Sequence, residues 1–175
     1  ENGSCSCNDG LKCDSKGKHP LYSGWYEDST TDIKQIRKWW TKTPNANISI
    51  PTGEKSGWLV LDVDDGGNET LSTLEAAHET LPDTVTAVTG SGGKYYVFMH
   101  PKGRNIPNKV KFAPGLDTRS NGGLIVATPS VHISGNRYQW VEGYSPFDIT
   151  LVEAPGWLLK LMEEWKSTLA PFGMP

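Results

Sequence analysis

The sequence predicts an α+β fold on three observations. Residues 58–63 form an apolar strand that stops in a cluster of carboxylates, and residues 84–89 and 95–99 are β-branched and aromatic runs joined by Gly90-Ser91-Gly92-Gly93 as a hairpin. Three further segments, 30–40, 70–80 and 155–165, repeat apolar residues at helical spacing. A chain of 175 residues that is 36% hydrophobic, with 19 Gly and 12 Pro, is long enough for one core and rich in turns. One domain over residues 1–170 is expected, opened by a cysteine-containing segment at 1–24, with 171–175 as the start of a linker.

The elements follow in order. Thr31 or Asp32 can cap the first helix, and Ile33, Ile36, Trp39 and Trp40 then recur on one side, the pattern of a packing helix. Residues 44–53 read as a short strand closing in a turn. After the acidic turn Asp65-Gly66-Gly67, Leu71, Leu74, Ala77 and Leu81 mark a second amphipathic helix, with His78 on its surface. Residues 101–114 are basic, polar and aperiodic, and read as a mobile loop. Residues 115–123 lead into an apolar strand at 124–127, followed by a strand-like Tyr138-Gln139-Trp140. Pro155 opens a closing helix with Trp157, Leu158, Leu161 and Trp165 on one face.

Charge is divided along the chain. The formal net charge of −3 argues against a general nucleic-acid coat, but residues 62–83 hold seven acids and no Lys or Arg, whereas residues 94–119 hold six basic residues and one acid. A metal-binding centre beside a phosphate-binding surface produces such a division, and so do ordinary solvated faces. No apolar run approaches the ~18 residues of a membrane span, and the first residues show no secretory pattern. A cytoplasmic protein without membrane contact is expected.

Two clusters carry chemistry. Side chains alternate along a strand, so Leu59, Leu61 and Val63 share one face and Asp62 and Asp64 the other. Two carboxylates on an apolar strand need compensation, and a Mg²⁺ or Mn²⁺ ion, which prefers hard oxygen ligands, supplies it. A strand running out into a solvated acidic turn fits the same residues. The second cluster is Cys5, Cys7 and Cys13 with His19, a donor set for one structural Zn²⁺ at a spacing unlike the common fingers. Free thiols and a disulfide remain open for it, and Lys18 and His19 alternatively offer donors to phosphate. The Gly-Ser-Gly-Gly-Lys turn is not a Walker A loop, since Val88 and Tyr95 stand where Gly and Ser or Thr are required, and the run from Asp62 lacks the Glu of an EF-hand.

Taken together, seven pieces in order resemble the bifunctional DNA primase/polymerase domain, a branch of the archaeo-eukaryotic primase superfamily. They are Gly17-Lys18-His19-Pro20, Trp39-Trp40, the run 46–53 (Ala-Asn-Ile-Ser-Ile-Pro-Thr-Gly), Leu61-Asp62-Val63-Asp64, the run 89–93 (Thr-Gly-Ser-Gly-Gly), Leu116-Asp117-Thr118-Arg119, and Pro129-Ser130-Val131-His132 with Tyr138-Gln139-Trp140. The resemblance covers nearly the whole chain. It implies an RRM-like catalytic sheet flanked by helices and packed against a smaller N-terminal α/β module, with the active site in the cleft. It implies that Asp62, Asp64 and Asp117 hold two Mg²⁺ or Mn²⁺ ions and that dNTP or NTP is joined on a single-stranded or primed DNA template. Lys18, Lys94 and Arg119 are then candidates for the triphosphate, and the basic segment 94–111 for the template. Ser130 and His132 fall in the family's Pro-Ser-x-His stretch, where a satisfied turn is the competing reading. The family's His after the glycine turn, a phosphate ligand, is replaced here by Tyr95.

The resemblance also implies replication of a phage, plasmid or integrated element, with a helicase following the domain. Two other readings stay open: a nucleotide- or nucleic-acid-binding module derived from a primase, for which Tyr95 argues, and a haloacid-dehalogenase-type phosphohydrolase using an Asp nucleophile. The latter expects Thr or Val where Gly66 stands, and its parallel sheet has no place for the hairpin.

Overall fold

Strand β2 (Trp58–Val63) sits inside a six-stranded antiparallel sheet and sets the layers of the protein, in a computed structural model that describes residues 5–164. The hairpin forms as expected: β3 (Val85–Val88) pairs with β4 (Lys94–Met99) through Val88 and Lys94, across the glycine turn. The sheet runs β5-β6-β2-β4-β3-β8, where β5 is Lys109–Ala113, β6 Leu116–Arg119 and β8 Gln139–Trp140. Both β2 and β3 run antiparallel to β4, which lies between them, and α3 (Gly67–Ala77) crosses from one to the other. The central order β6-β2-β4-β3 is the split βαβ arrangement of an RRM-like sheet. No parallel sheet of the kind a dehalogenase-type enzyme requires is present among the described residues.

Alternation along β2 separates two cores. Leu59, Leu61 and Val63 pack with Leu71 and Leu74 of α3, with Phe98, Ile106 and Phe112, and with Leu158 and Met162 of α4 (Gly156–Glu164). Val60 faces the other way, against Val85, Val97, Ile125, Val126 and Tyr138. Helices cover the first face. Part of the second is covered by a two-stranded ribbon in which β1 (Ser49–Pro51) pairs with β7 (Leu124–Val126), joining the N-terminal module to a strand from far along the chain. The rest of that second face is open only to a cleft, and Asp62, itself buried, lies on it.

Several expectations change. The segment 101–114 is not wholly loop, because β5 forms there as a lysine-bearing edge strand whose register shifts between Lys109 and Ala113, which hides its period. Residues 116–119 are a buried sheet strand, masked in the sequence because two of its four residues are charged. Helix α2 (Ile33–Lys42), capped by the Asp32 carboxylate accepting from the Lys34 N–H, does not pack into the core: none of its residues is buried and Ile33 is exposed. A short helix α1 (Trp25–Asp28) precedes it without a sequence signal. His78 is exposed as expected, at the C-cap of α3, and stacks on Trp157 at 5.2 Å. Trp165 and the expected linker lie outside the described residues.

Candidate metal and nucleotide centre

Strand register builds the acidic site. Asp62 lies directly opposite Asp117 on β6 and Tyr95 on β4, so the three side chains form one row on the open face. Asp64 stands just past the end of β2, where its N–H donates to the Gly115 carbonyl at 2.8 Å. The approach of these two segments needs glycine on both: a Cβ on Gly67 would meet the Gly115 oxygen at 2.3 Å, and one on Gly115 the Gly67 nitrogen at 2.4 Å. The turn before β4 is equally tight, since a Cβ on Gly93 would meet the Val63 oxygen at 2.4 Å. The close approach brings carboxylate oxygens of Asp62, Asp64 and Asp117 within 4.8 Å of one another.

Arg119, two residues beyond Asp117 on the same face, compensates two of these charges. Its Nη2 donates to Asp117 Oδ2 at 2.5 Å and to Asp62 Oδ2 at 3.2 Å. Asp117 Oδ1 accepts from the Lys111 backbone N–H at 2.6 Å. Lys111 occupies the left-handed region, φ 55°, inside the irregular stretch of β5, so the irregularity turns a backbone donor onto the site. Asp62 Oδ1 is buried and has no partner. Burial, and then the Asp64 charge, push the Asp62 carboxyl up to about 7, against the pull of Arg119. A buried, unpartnered carboxylate oxygen among hard oxygen donors fits a divalent cation.

Asp62 and Asp64 open onto a cleft of about 410 Å³, closed from the N-terminal side by Lys18, His19 and Trp25 and lined elsewhere by Thr89, Ser91, Tyr95 and Arg119, while Asp117 lies buried behind them and off its wall. Of the candidate residues, Asp62, Asp64, Tyr95, Arg119, Lys18 and His19 therefore meet in one place. Lys94 does not join them: it pairs with Val63, on the opposite face from Tyr95, and its side chain is exposed there. Ser130 Oγ accepts from the Ile48 N–H at 2.9 Å, and His132 lies against Ser134 and the edge of Tyr138. Burial, and then the charge of Lys18, lower the His132 pKa.

Tyr138 was missed by sequence reasoning. It is almost wholly buried, stacks on Tyr95 at 6.2 Å, leaves its hydroxyl without a partner, and is pushed up in pKa by burial and then by Asp62 and Asp64. Its one sequence signal was a tyrosine in a strand-like run beside the Pro-Ser-x-His stretch.

The second cluster also assembles. Donor atoms of Cys5, Cys7, Cys13 and His19 lie within 4.8 Å of one another, with Cys5 Sγ 3.2 Å and Cys13 Sγ 3.6 Å from His19 Nδ1. The three cysteines form no disulfide. This donor set could hold a metal ion, and it sits on the wall of the cleft through His19.

Fold and site place the protein among α+β domains that carry an acidic, metal-competent centre on the open face of an antiparallel sheet. The chain belongs to the family described as bifunctional DNA primase/polymerase, N-terminal, whose model matches residues 10–157. Membership brings primase/polymerase-type nucleotidyl transfer at the level of the family, with DNA and nucleotides as substrate classes. No curated protein matches the chain. Among the described residues no helix is long and apolar enough to cross a membrane.

Proposed function

We propose that the domain carries out template-directed nucleotidyl transfer as a DNA primase or polymerase, with Asp62, Asp64 and Asp117 holding two Mg²⁺ or Mn²⁺ ions. The observation that carries this reading is the Asp117–Asp62 pair on adjacent strands, in which Asp62 lines a cleft and keeps one buried carboxylate oxygen, Oδ1, without a partner. Ions bound there would favour deprotonation of the attacking 3′-hydroxyl and neutralise the departing pyrophosphate. The chain's own groups do the rest. Arg119 neutralises Asp62 and Asp117 before substrate arrives and is free to turn to the triphosphate once cations replace it. Lys18 adds positive charge from the opposite wall, and the Thr89 and Ser91 hydroxyls, 3.0 Å apart, offer uncharged donors beside the glycine turn. The setting proposed with it is replication of a phage, plasmid or integrated element, beside a helicase. The test is extension of a labelled primer on a DNA template with Mg²⁺ or Mn²⁺ and either dNTPs or NTPs. A product ladder is expected, and its absence from folded, metal-supplied protein overturns the proposal.

Tyr95 favours a second reading, a binding module with weakened synthesis. A protonated His at this position could give phosphate a charge-assisted hydrogen bond, whereas a tyrosine hydroxyl gives a neutral one, and the difference is about 1 kcal/mol, several-fold in affinity. Tyr95→His is expected to tighten nucleotide binding several-fold by calorimetry in Mg²⁺, and Tyr95→Phe to loosen it. If neither changes affinity, the ring serves packing against Tyr138 and has no phosphate role.

We further propose that Cys5, Cys7, Cys13 and His19 bind one structural Zn²⁺, which would tie the first residues to the cleft wall. Protein purified without chelator is expected to carry about one zinc per chain. Cys13→Ser should lower that content and lower the melting temperature. Parent protein free of zinc, with all three thiols titrating in the folded state, would falsify the assignment.

A further inference from the structure

Helix α2 turns an aromatic side toward a cavity and not into the core. Its apolar residues recur as in a core helix, yet Trp39 and Trp40 are only half-buried and face a cavity of about 840 Å³ between the helix and the N-terminal segment. Tyr22 and Trp25 close the opposite wall. Half-buried aromatic side chains lining a cavity the size of a ligand pocket call for a flat, apolar occupant.

The charges say more about that occupant. Lys18, Lys38 and Lys42 line the cavity against a single carboxylate, Asp28. Lys42 Nζ lies 5.9 Å from the centre of the Tyr22 ring, so a cation and an aromatic face are presented together. The Trp40 indole N–H is already engaged, donating to the Ala46 carbonyl at 3.1 Å, which leaves that ring its face to offer. The cavity also continues into the acidic cleft, since Lys18, His19, Pro20 and Trp25 line both. Alternating flat rings and ammonium groups match the alternating bases and phosphates of a single strand.

We propose that this cavity seats a single-stranded segment of DNA leading to the carboxylate centre, with bases stacked on Trp25, Trp39 and Tyr22 and phosphates against Lys38 and Lys42. The inference rests on the polymerase reading for the direction of the strand, and on the rings and lysines for the site itself. A mononucleotide fits the rings but leaves no use for lysines on two sides of the cavity.

The test is the binding of a fluorescein-labelled oligothymidylate by anisotropy without nucleotide or added Mg²⁺ or Mn²⁺, so that catalysis plays no part and the proposed zinc stays in place. Trp39→Ala is expected to weaken binding roughly 5- to 100-fold, the range for loss of one stacked base, while Trp39→Phe stays near the parent. Lys38→Gln with Lys42→Gln, both exposed and therefore safe for folding, should reduce the slope of log affinity against log salt by about 0.7 for each lysine. Parent-like binding and salt slope in the double lysine variant overturn the inference, and so does loss of dNTP binding in Trp39→Ala with oligonucleotide binding intact. Primer extension in the same variants separates the two proposals. A parent that binds the strand through these residues but makes no product rejects the polymerase reading alone. A parent that extends primers while the cavity variants bind DNA unchanged rejects the cavity alone.

Discussion

Asp62→Asn and Asp117→Asn are each expected to abolish measurable primer extension while the domain stays folded. Loss of a carboxylate that positions a cation removes several kcal/mol of transition-state charge stabilisation, which corresponds to roughly 10²–10³-fold in rate or more. The two variants should differ in stability. Asp62 is buried with one oxygen unpartnered and repelled by Asp64 and Asp117, so its neutral isostere should hold the metal-free fold at neutral pH at least as well as the parent. Asp117 is the opposite case, because it anchors both Arg119 and the Lys111 N–H. Asp117→Asn should therefore lower stability by about 1–3 kcal/mol, the cost of weakening charged hydrogen bonds in a buried place. Urea denaturation without added Mg²⁺ or Mn²⁺ reads the stability and single-nucleotide incorporation reads the rate. Either variant extending primers at the parent's rate removes that residue from the centre.

Metal-free protein should lose stability as pH rises from 5 to 8, and the loss should trace to Asp62. Its carboxyl is raised from the ordinary 3.8 to about 7 in the fold, with burial as the first cause. An acid whose folded value is raised binds its proton more tightly in the native state. Its stability contribution is therefore complete below about pH 4 and disappears as pH climbs through about 7. For a shift of this size in a largely buried group, the change is on the order of a few kcal/mol. The midpoint of urea unfolding without added Mg²⁺ or Mn²⁺ is expected to fall between pH 5 and pH 8 in the parent, and much less in Asp62→Asn. Mn²⁺ or Mg²⁺ should restore the parent at pH 8, since a ligand that binds only the folded state stabilises it by mass action. Parallel pH profiles for parent and variant, with no effect of Mn²⁺, would show that Asp62 is satisfied by some other group.

Much of the fold was legible because it is local. The strand 58–63, the glycine hairpin and helices α2, α3 and α4 were each readable from the period of their own residues, within a few positions of where they stand. The site was legible in part for the same reason. Alternation along β2 puts Asp62 on one face and Leu59, Leu61 and Val63 on the other without reference to the rest of the molecule. Three cysteines and a histidine within fifteen positions (Cys5 to His19) are already close in the chain, so a short loop suffices to gather them. The same alternation sends Lys94, adjacent to Tyr95 on β4, to the other face and away from the site.

What the chain's own periodicity does not contain is which distant segments lie side by side. Pairing of β6 with β2 places Asp117 across from Asp62, a juxtaposition that the family resemblance implies and the periodicity of neither segment contains. The irregularity that turns the Lys111 N–H onto Asp117, the return of β7 to β1, and the packing of Tyr138 on Tyr95 all depend on that choice of neighbours. So does the fate of α2, whose sequence has the pattern of a core helix and whose aromatic face instead borders a cavity. The physical reason is one of range. Covalent geometry sets the direction of each side chain within its own element, whereas the register between elements is set by the summed burial of many side chains, and no single stretch of sequence carries that sum.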